Sequence, residues 1–211
     1  MKFGFTPILF SFFILFLFTS IQDTGNIEES DELIYTNFTS ESHLKWRASH
    51  LGGIAPRFGR IFLKKAKGNF KNNQLNELIV EIDMNSIVVE NFKPKNKENA
   101  IALEEHLKSP DFFNSPLYPI SKFQMTKIES GNKEYNSFIT GDLTILDVTR
   151  SISYFCTVNK TKKGLIIHSQ PFEIDRTLWE ISYHKEGSKG ISKDAVISNK
   201  IIFEILIHLK K

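Results

Sequence analysis

His106, Asp111 and Asp142 are the residues of this chain whose types suit acid–base chemistry, because an imidazole near carboxylates can exchange protons close to neutral pH. Nothing around them completes a catalytic set. The sequence has no serine elbow, no paired catalytic carboxylates and no glycine loop of the kind that cradles phosphate. Structural work accounts for the same residues. His106 falls where a helix should end, and the partial negative charge there favours a donor. Asp111 follows Ser109-Pro110, a position suited to capping a turn. The expectation is that none of them is catalytic.

The six histidines, at 43, 50, 106, 168, 184 and 208, include no i, i+4 pair and no His-x-His, so a metal site is not expected. Cys156 is the single cysteine, which excludes an internal disulfide and reads as a small buried side chain. Arg176 differs in kind. It would lie beside Ile174 on a strand whose Phe172 and Ile174 point inward, and a buried guanidinium must find a carboxylate or a ligand anion. Asp83 and Asp142 are the candidate carboxylates; a polar ligand head group is the alternative. Trp46 and Trp179 suit packing at one end of a barrel.

The elements that must position these groups are mostly strands. At 211 residues the chain fits one domain, and its 27 basic and 24 acidic residues are scattered singly, which excludes a nucleic-acid-binding arm. Residues 1–20 have the shape of a signal peptide, with Lys2 ahead of the apolar run from Ile8 to Phe18, a run short for a membrane span. Residues 21–32 are polar and acidic and read as a linker, so the folded domain is expected over 33–211.

Beyond the linker, apolar residues alternate with period two between turn signals such as Asn72-Asn73, Gly131-Asn132 and Lys163-Gly164. Leu78, Val80 and Ile82 share one strand face, as do Phe123 and Met125, Leu143 and Ile145, and Leu165 and Ile167. The last strand places Ile201, Phe203, Ile205, Ile207 and Leu209 on one face. One segment, Glu98 to Leu107, instead spaces Ala100, Leu103 and Leu107 as a short amphipathic helix stopped by Pro110. Lys189 to Ala195 reads as a loop or a single helical turn. An all-β antiparallel meander abolishes its edges only by closing, and a closed barrel of about eight strands can hold one small ligand.

The stretch Glu105-His106-Leu107-Lys108-Ser109-Pro110-Asp111-Phe112-Phe113, followed by Tyr118-Pro119 and Phe123, resembles the signature of the YceI-like polyisoprenoid-binding family. Ile82 to Ile87, Gly141 to Ile145 with Val148-Thr149, and Phe172 to Thr177 agree with it in order and spacing. The family's usual His-x-Gly before the second strand stands here as Arg57-Phe58-Gly59.

The resemblance implies a lipocalin-like barrel, exported to the periplasm, whose apolar lumen takes a long-chain or isoprenoid lipid without cofactor or chemistry. The residues expected to line it are Leu78, Val80, Ile82, Phe123, Met125, Leu143, Ile145, Phe203, Ile205 and Ile207, with Arg176 as the candidate reader of a head group. Transient membrane contact and a homodimer are compatible with such a carrier. The alternative is an enzyme acting on a lipid-like substrate through His106 and nearby carboxylates. Export has a direct check: in fractionated native cells the protein should be found in the envelope. Recovery from the cytosol would contradict the leader, and an intact N-terminus in washed membranes would make it an anchor.

Overall fold

The computed structural model describes residues 32–211 together with Met1. The expected leader, and the linker as far as residue 31, lie outside the described residues. The strands are β1 (Glu32–Tyr35), β2 (Asn37–Phe38), β3 (His43–Ala48), β4 (Arg57–Lys71), β5 (Gln74–Asp83), β6 (Val88–Val89), β7 (Ile120–Ser130), β8 (Ser137–Ile145), β9 (Val148–Thr161), β10 (Gly164–Ser169), β11 (Phe172–Asp175) and β12 (Lys200–Lys210). One helix, α1 (Lys97–Lys108), interrupts them. The expected helix from Glu98 to Leu107 is therefore present, with Ala100 buried and Leu103 and Leu107 packed against the core. The ambiguous stretch near Ala195 resolves as a single 3-10 turn over Lys193–Ala195.

The twelve strands occupy eight places. Every pairing is antiparallel, and β3, β4, β5, β7, β8, β9, β10 and β12 are neighbours in chain order. The ring closes where β12 pairs with β3, from Ile202 opposite Arg47 to Leu206 opposite His43. The short strands extend places already taken. β1 and β2 continue the position of β3 along β4 and β12, β6 continues that of β5 along β4, and β11 continues that of β10 along β12. The fold is a closed up-and-down barrel, as the alternation and the turns require.

Alternation decides what fills the ring. Along β12, Ile201, Phe203, Ile205, Ile207 and Leu209 are buried while the intervening side chains face out. Each such burial stabilises the fold by roughly 1.5–3 kcal/mol. The end near the β4–β5 hairpin, whose Asn72 and Asn73 adopt positive φ, is close-packed. A Cβ on Gly68 would lie 2.9 Å from Leu209 Cδ1 and 3.2 Å from Leu165 Cδ2, so any larger residue there must push these leucine ends aside.

The opposite end is covered by α1 and by the long connection from β11 to β12. Arg176 organises that connection. It is 1% exposed, and its Nε donates to Ser198 O at 3.0 Å, Nη1 to Ile181 O at 2.7 Å, and Nη2 to Tyr183 O at 3.0 Å and Ile197 O at 3.2 Å. The expected pairing with Asp83 or Asp142 is thus replaced by four backbone carbonyls, which irregular chain leaves without ladder partners. Burial lowers the affinity of the guanidinium for its proton, and Asp175 and Glu186 partly offset this. Arg176→Met should destabilise the protein by about 3–5 kcal/mol, because it strands buried acceptors. Urea unfolding checks this; a loss below about 1 kcal/mol would mean that water substitutes for the guanidinium.

Candidate functional site

Between the packed floor and the covered end the barrel is hollow. A cavity of about 50 Å³ opens among side chains from β3, β4, β5, β7, β8, β9, β11 and β12. Of the residues expected to line the interior, Val80, Ile82, Phe123, Leu143, Ile145, Phe203, Ile205 and Ile207 bound this space. Leu78 does not: it is fully buried among the close-packed residues opposite Gly68. Met125 is only partly buried, where β7 bulges against β8 and the inward phase is lost.

Gly141 makes room for the central ring of the site. A Cβ there would lie 2.4 Å from Phe123 Cζ and 2.6 Å from Gln124 O, so the bare backbone of β8 lets the ring lie flat beside it. Phe123, Tyr154, Phe172 and Phe203 then form a run of rings, with centroids 5.6, 4.7 and 6.3 Å apart in turn. Such pairs add to area burial and give the wall a fixed shape.

The sequence reading left out several wall residues. Leu44 and Ile61 follow the same alternation on β3 and β4 and were legible in it. Phe113 lies in the turns after α1, too irregular for periodicity to place, whereas Phe172 on β11 takes the inward position expected of it. Ser121 and Tyr154 are the polar residues of the wall. Burial pushes the Tyr154 hydroxyl upward in pKa, with a smaller contribution from Cys156, and burial pushes the Cys156 thiol up to about 12. Both groups are neutral in the folded protein at physiological pH.

The three acid–base residues do not meet in the lumen. His106 Nε2 and Asp111 Oδ2 lie 3.0 Å apart, with the imidazole edge-on to Phe112 and Tyr183, at the covered end of the barrel and outside the lumen wall. Asp142 is exposed on the outer face of β8, because Gly141 and Leu143 take the inward positions. Among the described residues, no three His, Cys, Asp or Glu side chains gather as a metal site would require. Arg176, expected to read a head group, spends its donors on the carbonyls described above. A larger cleft lies on the outer face, where two of its cations, Lys45 and Arg60, pair with Glu204 and Glu90. Paired, solvent-screened charges make a weaker site than a dry lumen.

Ring and lumen together define the class, a small antiparallel barrel with an apolar interior. Residues 35–209 match the YceI-like domain, and the chain belongs to that family. It is similar to two UPF0312 proteins: one of Shewanella denitrificans, 28% identical over 60% of this chain and 61% of that protein, and one of Photorhabdus laumondii, 39% identical over 23% and 24%. The chain therefore spans less than two thirds of either relative. Among solved structures it resembles BcnA of Burkholderia cenocepacia, with a TM-score of 0.59 and 12% identity over 81% of this chain and 98% of that one. It also resembles a polyisoprenoid binding domain from Saccharophagus degradans, with a TM-score of 0.56 and 13% identity over 84% and 97%. At these identities the likeness concerns the fold.

The buried thiol and phenol set a pH dependence. Both ionise more readily in the unfolded chain, so above about pH 9 the unfolded state binds fewer protons and stability falls as pH rises toward 12. Cys156→Ala should lower the baseline through the small cavity it leaves, yet make the alkaline decline shallower. Urea midpoints measured across that range separate the two effects, and an unchanged slope would mean that the thiol is not shielded.

Proposed function

We propose that this protein binds a long apolar lipid of isoprenoid type in its lumen, carries or stores it outside the cytoplasm, and performs no chemistry on it. The observation that carries this reading is the wall itself, apolar throughout except at Ser121 and Tyr154. An apolar wall of this kind needs no reactive group, since each methylene withdrawn from water contributes roughly 0.8 kcal/mol. Roughly 10–15 Å³ of such space admits one water-sized group, so a longer chain must spread the wall or continue into neighbouring space. Similarity to the polyisoprenoid binding domain of Saccharophagus degradans supports the ligand class. The apolar run after Lys2 supports export, with residues 1–20 as leader and 21–32 as linker to the barrel.

The rival reading is an enzyme built on His106 and Asp111, favoured by their 3.0 Å contact. Lumen filling separates the two. Val80→Trp or Ile145→Trp places a ring where the lipid would lie, so co-purified lipid, followed by mass spectrometry, should fall sharply while the melting temperature of the ligand-free protein changes little. In a filled core the same ring would cost roughly 1–3 kcal/mol. His106→Gln should leave the bound lipid present and chemically unaltered. Unfolded Trp variants together with a different, unprocessed lipid in the His106 variant would establish the enzyme instead.

A further inference from the structure

Two more apolar cavities lie beside the lumen, and the three share walls. The lumen shares Ile61, Phe113 and Phe203 with a second cavity of about 40 Å³. That cavity shares Trp46, Ala48, Leu107, Phe112 and Ile197 with a third, of about 80 Å³, reaching Leu103 of α1 and the β3–β4 connection. Four of these eight shared residues, Phe113, Phe203, Trp46 and Phe112, carry aromatic rings, whose rotamer changes can join the three spaces without breaking the ring of strands.

The outermost cavity is also where polar capacity is unspent. His50 and Arg57 are on its wall. His50 Nδ1 is shut off from water and has no hydrogen-bond partner, a state that buried polar atoms rarely keep. Arg57 donates to the carbonyl of its own neighbour, Pro56, at 3.0 Å, and its guanidinium lies 4.7 Å from the centre of the Phe92 ring. Among the described residues no carboxylate pairs with it, whereas Arg60 on the same strand is paired with Glu90. Asp194 is the acid close to His50, and it stands fully in solvent, where its charge is screened.

We infer that the lumen opens between α1 and the β3–β4 connection, and that this portal takes a lipid with an anionic head group, a phosphate or carboxylate, held by Arg57 and His50. The inference rests on the lipid-binding reading above and assigns the ligand its direction, chain inward and oxyanion at the mouth. A guanidinium and an imidazole N–H on one wall match the two acceptors of such a group.

The test compares a straight-chain alkyl phosphate, the alcohol of the same chain and inorganic phosphate by titration calorimetry at low salt. The native protein should prefer the alkyl phosphate over the alcohol by about tenfold or more, the scale of one charge-assisted hydrogen bond. Arg57→Met, a substitution at a half-buried position, should bring that preference close to unity and leave the alcohol affinity unchanged. Ala48→Trp, which narrows the passage between the second and third cavities, should weaken both alkyl probes. A preference that survives Arg57→Met overturns the portal. Inorganic phosphate binding as tightly as the alkyl phosphate would make this a free-anion site and overturn the head-group assignment. If the native protein takes neither alkyl probe, the lipid reading fails and the inference with it; if both bind equally, only the inference fails.

Discussion

Everything in this molecule depends on the pairing of the last strand with the third. Until β12 docks on β3, the sheet has two open edges, each a row of unpaired amide and carbonyl groups. That pairing joins segments near opposite ends of the domain, so its closure entropy is met late, after the local hairpins have formed. It also fixes phase. With β12 and β3 in register, Ile205 stands opposite Leu44 and Phe203 opposite Trp46, all four facing inward. A slip of one residue would turn Glu204 and Lys45 into the barrel and expose the apolar set. The lumen is therefore a product of closure: it is the space that the inward side chains of a correctly phased ring leave unfilled.

That space is unevenly distributed, and the difference has a physical origin. At the floor, Gly68, Leu75, Leu165 and Leu209 interlock, and strand ladders satisfy the backbone there. Toward α1 the rings of Phe113, Phe123, Tyr154, Phe172 and Phe203 stand among the aliphatic side chains of the wall and do not close the space between them. The result is a hollow of about 50 Å³. At about 24 cal/mol per Å³ of residual void, keeping it open costs about 1 kcal/mol, small beside the burial along any one long strand. A hollow interior is thus compatible with an ordinary stable fold.

The sequence made the ring legible because closure and alternation are repetitive signals. Leu143 and Ile145, or Phe203, Ile205 and Ile207, each report the same phase several times over, and the eight of these interior residues that line the lumen lie in runs of this kind. Leu78 and Met125 lie away from the lumen for a local reason: strand phase tells inward from outward, but not floor from lumen, and not where a bulge ends the phase. Arg176 was legible as a buried charge in need of partners. Its partners were not legible, because they are carbonyls of an irregular connection with no side-chain pattern to announce them. The same irregularity hid Phe113.

The two ends of the barrel are consequently held by different means. The floor rests on continuous main-chain ladders. The covered end joins its irregular backbone bonds with single side-chain to backbone bonds: Arg176 to four carbonyls, Trp179 Nε1 to Leu143 O at 3.0 Å, Trp46 Nε1 to Val88 O at 3.3 Å, and Val89 N to Glu104 of α1 at 2.8 Å. A ladder opens only cooperatively, whereas the isolated neutral bonds among these break one at a time, each at a net cost of about 1 kcal/mol, and only the buried Arg176 fork costs more. Local opening is therefore expected at α1 and its neighbours, the end where the second and third cavities lie and where His50 Nδ1 lacks a partner. Opening there would leave the eight-place ring and its ladders intact.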